Sequence, residues 1–311
     1  MAVDVTRQDR AQPQAVAARR RALFRETPFE RLSRVMLGLA RTFSPVRIGA
    51  LPMVVRMWLS DLFHPSRDLP DPARAPTAWE GVCGIARDLS VENLMRAHSI
   101  GLHPASHVGP QKWWSPPERC VLFFDELHIS RRLRSRLRQA RHTVTLDRDF
   151  EAVIKACAGR RPGKWATTWI TPRIMHAYAA LFDAGHAHSF EVWDENGELA
   201  GGGYGVAIGN IFIVESQFAR EPNAGKIGFT VLNWHLAHWG FALNDNKGGA
   251  GQHVLDMGFR LIPRADYLAR LARAKGERGR PGRWEVEADL PTVAEWQPQG
   301  GTPEIPAVAA E

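Results

Sequence analysis

At 311 residues, 44% of them hydrophobic, the chain can bury a sizeable core and build one or two domains, which excludes a wholly disordered protein. Its net charge of +7 and sequence pI near 9.8 point toward a polyanionic partner, nucleic acid first. Cys83, Cys120 and Cys157 are far apart and form no Cys-x-x-Cys pair, which disfavours a structural zinc site and suits a reducing compartment, so a cytoplasmic protein is expected.

Residues 1–20 are polar and rich in Ala, Gln and Arg, a composition that predicts disorder. Residues 22–63 carry helical periodicity broken by Pro45 and Pro52. No run of about 18 uncharged apolar residues exists, so no membrane span is predicted. Arginines and aromatics within 35–63 allow contact with an anionic membrane surface, but the plainer expectation is a helical extension packed on the main domain. Four prolines between Pro65 and Pro76 mark a linker.

Ser90 caps a helix beginning at Val91. Val121–Phe124 reads as a strand, Arg131–Arg141 as a basic helix, and Asp149–Ala158 as a helix with apolar residues at three-to-four spacing. Thr171 and Pro172 supply an N-cap and first-turn proline for a helix over 172–184, stopped at Gly185. A hairpin follows, 188–193 against 198–207, with its turn at Asn196-Gly197. Then come a strand over 211–218, a helix over 224–239, a strand over 241–245 and a helix over 265–273, an α+β arrangement. Residues 274–311 show little periodicity and are expected to form a flexible tail.

The spaced motifs carry more than any single element. Trp113-Trp-Ser-Pro, Leu127-His-Ile-Ser, Thr168-Trp-Ile, Gly185 to Trp193, Gly201-Gly-Gly-Tyr-Gly-Val, Phe212 to Lys226 and Gly240 to Asp245 occur in one order. In this the chain resembles the bacterial leucyl/phenylalanyl-tRNA–protein transferases, from about Leu69 to Leu271. The resemblance implies a GNAT-like acyltransferase domain over 120–273 and a small N-terminal domain over 64–119; composition adds a basic, partly disordered and partly helical N-terminal extension over 1–63 and a tail over 274–311. It implies transfer of an amino acid from aminoacyl-tRNA to the N-terminal amine of an acceptor protein, as in the N-end rule route of degradation, by a monomer without a cofactor.

Aminoacyl transfer needs an unprotonated acceptor amine, a positioned ester carbonyl and stabilisation of the oxyanion that forms. By resemblance Asp245 matches the aspartate of the family motif Asp-Cys-Gln, and Glu215 the glutamate of Gly-Glu-Ser-Met-Phe; the first is expected to handle the acceptor amine and the second to order the donor site. Lys247 replaces the glutamine of Asp-Cys-Gln, exchanging a neutral amide for a group that only donates while charged. His103-Pro104-Ala105 replaces the family's Phe-Pro-Trp, and Asp256 replaces the serine of Ser-Leu-Gly-Ala. Gln217 and Asn244 stand where the family has Met and Ile; with Phe218, Trp169 and Trp114 they are expected to wall the donor pocket, and two amides there favour a polar aminoacyl group.

Arg131, Arg132, Arg134 and Arg138, with Arg136 and Arg141, crowd one helix and its exit, a footprint for phosphates of the tRNA backbone or else a solvated face. Lys226 stands just inside a helix N-terminus, where anions are favoured. His186-Ala-His188 lacks further ligands at metal spacing and is read as structural, so no metal is expected. Gly201–Gly205 lies within a strand and is no phosphate loop; close backbone approach explains it. The rival functions are an offshoot acting on another peptide or a small molecule, a silent tRNA-end-binding protein, and a GNAT enzyme using acyl-coenzyme A. Retention of both carboxylates argues against the silent protein, and the absence of a Gly-rich pyrophosphate loop at 219–226 against the coenzyme A enzyme.

Overall fold

The computed structural model describes residues 13–43, 49, 51–66, 68–77, 81–159, 168–249 and 251–298. Three helices come first: α1 (Pro13–Leu23), α2 (Pro28–Thr42) and α3 (Leu51–Phe63). A small antiparallel sheet follows, of β1 (Val82–Ile85), β2 (His103–Ala105) and β3 (Lys112–Trp114) in the order β1-β3-β2, with α4 (Val91–Ser99) inserted after β1. The Ser90 hydroxyl accepts from Asn93 N and starts α4 as the sequence predicts.

The main sheet draws on β4 (Glu118–Leu122), β5 (Thr143–Leu146), β6 (Ala187–Trp193), β7 (Leu199–Ile208), β8 (Ile211–Ala219), β9 (Leu243–Asp245) and β10 (Arg260–Pro263). Their order is β10-β4-β9-β8-β7-β6-β5, antiparallel except for the parallel pair β8–β9. The helices between them are α5 (Arg131–Gln139), α6 (Phe150–Ala158), α7 (Pro172–Asp183), α8 (Ala224–His238) and α9 (Gln252–Leu255), and α10 (Arg264–Ala274) and α11 (Leu290–Glu295) follow the last strand.

Strand alternation sends successive side chains to opposite faces and so creates two cores. On one face Ile211, Ile213 and Leu243 pack with α4, α6, α7 and α10 through Leu94, Phe150, Tyr178 and Leu271. On the other, Phe212, Val214 and Leu122 pack with α5, α8 and α11 through Leu137, Leu232 and Val293. The first core is aromatic at its centre, with Phe150 stacked on Phe182 at 4.5 Å and Tyr178 edge-on to Tyr204 at 5.5 Å, pairs worth about 0.5–1.5 kcal/mol each.

The β6–β7 hairpin turns at Asn196-Gly197, where Gly197 takes φ +78°. In the glycine run of β7, a Cβ on Gly205 would lie 2.4 Å from the Ile213 carbonyl oxygen, so only glycine fits there. Pairing of β7 with β8 slips at one place: Tyr204 faces Ser216, but Gly205 faces Val214, leaving Glu215 as the extra residue of a bulge. β9 pairs only with Ile211–Ile213, so beyond that point β8 has no strand beside it on the β9 side.

Three expectations are corrected. Residues 13–20 belong to α1, held by Arg20 to Glu151 at 2.9 Å and Asp183 at 2.5 Å and followed by the buried Phe24; the expectation for 1–12 lies outside the described residues. α2 and α3 do contact the rest of the chain, Gly38 at Val108 and Trp58 at Gly109, but one apolar stripe of each is left uncovered: Phe29, Leu32, Met36, Leu59 and Leu62 are exposed. The C-terminal segment is not a loose tail as far as 298, because Trp284 is wholly buried against the His188 ring at 3.6 Å and donates its backbone N–H to Asp147. Isolated residues such as Trp284, Leu290 and Val293 find separate holes in an existing core, which requires no periodicity in the sequence.

Candidate active site

The bulge turns the Glu215 carboxylate into the first core, where it is fully buried. His98 Nε2, from α4, lies 3.0 Å from Glu215 Oε1, and Lys247 Nζ donates to Glu215 Oε2 at 2.9 Å and to its backbone oxygen at 3.0 Å. Lys247 thus satisfies a carbonyl that β9, already ended, does not reach. Its own backbone is left-handed, at φ +59°, a conformation that costs a lysine about 1–2 kcal/mol. Burial pushes the Glu215 carboxyl up, but the Lys247 ammonium and the His98 hydrogen bond outweigh it and hold it well below the usual carboxylate range.

Asp245, at the end of β9, is fully buried and points to the same face. Arg119 of β4 grips both of its oxygens, the Lys247 N–H donates to Oδ1 at 2.8 Å, and Arg119 also donates to the Gly101 carbonyl at 3.1 Å while lying 4.1 Å over the Tyr267 ring. Burial works against the Arg119 charge, yet Asp245, foremost among its neighbours, holds the guanidinium firmly protonated. The carboxylate expected to meet the acceptor amine is therefore saturated by Arg119 and Lys247. His103, in β2, is buried beside this group, and burial followed by the charges of Lys247 and Arg119 keeps its ring neutral.

Glu215, Asp245 and Lys247 form one cluster, and Trp169 joins it, with Lys247 Nζ 5.0 Å from its ring centre and Tyr178 edge-on at 6.4 Å. The remaining donor-pocket residues do not share one wall. Trp114 sits in the small sheet opposite His103 and donates to the Ala105 carbonyl at 2.7 Å. Asn244, one residue from Asp245, faces α8, fully buried, with Nδ2 donating to Asn233 Oδ1 at 2.7 Å and its own Oδ1 unpaired. Alternation along the strand separates these neighbours. Gln217 and Phe218 line a cleft of about 990 Å³ that opens where β8 outruns β9, together with Lys155, Arg220, Lys226 and Phe229.

The arginine helix α5 packs Leu133 and Leu137 into the second core, on the sheet face opposite Glu215 and Asp245. Arg131, Arg132 and Arg138 are exposed, but two of the expected tRNA contacts are engaged within the chain: Arg134 Nη1 donates to the Ala294 and Trp296 carbonyls at 2.5 and 2.8 Å, and Arg138 pairs with Glu295 at 2.7 Å. They fasten α11. His188 bonds Asp147 at 2.8 Å under Trp284.

Sequence reasoning missed His98, His103 as a charged-cluster neighbour, and Arg119. Arg119 left a signal: an arginine beside the apolar run Cys120–Leu122 must find a carboxylate if it is buried. His98 left none, since it ends an amphipathic helix like any other.

Residues 121–272 match the family described as Leucyl/phenylalanyl-tRNA protein transferase. A leucyl/phenylalanyl-tRNA–protein transferase of Pseudomonas fluorescens is 47% identical over 211 residues, covering 67% of this chain and 92% of the relative. One from Azotobacter vinelandii is 43% identical over 240 residues, covering 76% of this chain and 99% of the relative. Among solved structures, the crystal structure of FemX shares 13% identity at a TM-score of 0.38, covering 48% of this chain and 60% of that one, too distant to carry an argument. The likeness in sequence, running through nearly the whole length of these relatives, makes this chain a member of the leucyl/phenylalanyl-tRNA–protein transferase family.

Proposed function

We propose that this protein moves the aminoacyl group of a charged tRNA, leucyl or phenylalanyl or a related residue, onto the N-terminal amine of an acceptor protein. The observation that carries the reading is family membership, with Glu215 and Asp245 at the positions where the motif resemblance expects the family's two carboxylates. In the reaction a neutral amine attacks the ester carbonyl carbon, a C–N bond forms, the C–O bond to the terminal ribose breaks, and the ribose oxygen takes the proton.

Asp245 and Glu215 act as positioning groups in this reading. Asp245 fixes Arg119 and the Lys247 backbone, and Glu215 aims the ammonium. Lys247 has three N–H donors, of which two serve Glu215, and its side chain is 13% exposed beside Trp169. It is the charged donor placed to stabilise the developing oxyanion. The donor side chain enters the cleft at Gln217 and Phe218, and the acceptor end of the tRNA meets Lys226 at the start of α8, with Arg131 and Arg132 as further phosphate contacts.

The main sheet with its splayed parallel pair and bulge supports a GNAT-type domain over 120–273, with a small domain over 64–119 that contributes His98 and His103. The test offers leucyl-, phenylalanyl- and several polar aminoacyl-tRNAs with a peptide bearing a free N-terminus. Label moving from tRNA to the peptide α-amine is expected; no transfer from any charged tRNA to any α-amine overturns the reading.

A further inference from the structure

The N-terminal helices show their oily sides to water. Among the described residues, twelve large apolar side chains are strongly exposed, and ten of them lie between positions 29 and 63. Those of α2 follow helical spacing: Phe29, Leu32, Met36, Leu39 and then Phe43 form one stripe. Opposite that stripe Gly38 is buried, so close to Val108 that a Cβ there would lie 2.2 Å from its methyl, while Arg34 turns back to Glu26 at 2.7 Å. The helix therefore meets the protein with its small and polar side. α3 does the same. It buries no residue, it is tied down by Asp61 to Arg87 at 2.7 Å, and it exposes Val55, Trp58, Leu59, Leu62 and Phe63. Trp58 touches Gly109, next to the Val108 that Gly38 meets, so the two helices flank one loop.

Charge selects the occupant. Between positions 13 and 63 stand nine arginines and three acidic residues, so six of the seven net positive charges of the chain lie in this segment. Arg21, Arg25, Arg31 and Arg56 are exposed there. A second copy of the segment would bring like charges together, whereas an anionic bilayer answers both the apolar stripes and the arginines. No helix among the described residues is long and apolar enough to cross a membrane, which leaves the helices lying in the interface. The segment also lies outside residues 121–272.

We infer that α2 and α3 dock this protein on the surface of an anionic phospholipid bilayer, their apolar stripes in the acyl boundary and their arginines at the headgroups. The full-length protein is to be floated with phosphatidylglycerol-containing vesicles and with pure phosphatidylcholine vesicles. Expected are binding to the anionic vesicles, weakening with added salt, and a loss of about tenfold or more on Phe29→Ser with Met36→Ser, or on Leu59→Ser with Leu62→Ser. Because these side chains are exposed, the variants should keep the thermal midpoint and the transfer rate to a soluble peptide, which separates lost docking from lost folding. Equal binding by variant and wild type, or no binding to anionic vesicles, overturns the inference. So does sedimentation showing a lipid-free dimer that the serine variants dissociate, since the stripes would then belong to a second copy. Because docking and transfer are read separately, failure of one leaves the other standing.

Discussion

Replacing Lys247 by methionine removes the ammonium but keeps most of its length, and the consequence is set by what remains around Glu215. At 2.9 Å and an effective dielectric of about 20, the gross attraction of the pair is about 6 kcal/mol. Desolvation offsets part of it, so the loss expected while Glu215 stays charged and buried is about 3–5 kcal/mol. The loss depends on pH. In the wild type the folded carboxyl titrates below its unfolded value, so its stabilisation is present above about pH 4.5 and fades only as pH falls through the folded value. Without Lys247 the upward push of burial loses its strongest opponent, the folded value rises, and the variant gains relative stability as pH falls. Urea unfolding at about pH 8 should show the full loss, and at about pH 5 a smaller one. Adding Glu215→Gln to the variant should recover much of the loss at about pH 8, because no buried charge is then left alone. The same loss at both pH values, or one below about 1 kcal/mol at the higher, would refute the account of Lys247 and Glu215 as a mutually dependent buried pair.

Trp284→Ala should lower stability by about 3–5 kcal/mol, read from thermal or urea unfolding, since it empties a wholly buried site beneath His188; a change within about 0.5 kcal/mol would return the segment to a loose tail. Burial raises the Glu191 carboxyl to about 7, so its contribution is full below about pH 4.5 and is lost as pH rises through about 7; Glu191→Gln should gain up to roughly 3 kcal/mol on the wild type across that window, and a flat difference in a pH series of urea melts would contradict it. Gln217→Met should shift donor preference toward leucine by about tenfold, measured as relative transfer rates from leucyl- and polar aminoacyl-tRNAs; a leucyl preference in the unmodified protein counts against Gln217 as a specificity group. Arg131→Gln with Arg132→Gln should weaken tRNA binding irrespective of the amino acid carried and reduce the salt slope by about one unit per lost phosphate contact, whereas an unchanged slope makes α5 a solvated face.

Local chemistry wrote much of the fold into the sequence. Thr171-Pro172 starts α7, Ser90 starts α4, Asn196-Gly197 turns the β6–β7 hairpin, and each works through hydrogen bonds or dihedrals within a few residues. The short strands β5 and β10 were not legible, because four residues carry too little alternation and are strands only through their neighbours β6 and β4. For α2 and α3 the periodicity was legible, but not which way their apolar faces turn.

The motifs singled out Glu215, Asp245, Lys247 and Trp169 as candidate site residues, since motif order is a property of the chain alone. Which of them touch was decided by tertiary structure. The bulge at Glu215 depends on how β7 registers against β8, and the Arg119–Asp245 grip on β4 lying beside β9 across more than a hundred residues of chain. The split between Asp245 and Asn244 follows from which core each face of β9 meets. Arg134 and Arg138, the fourth and eighth residues of a run that reads as a phosphate footprint from Arg131, are instead spent on carbonyls and a carboxylate of α11, a segment that arrives from the far end of the chain. A sequence specifies the donors and acceptors; only packing decides whether water, a phosphate or the protein itself takes them.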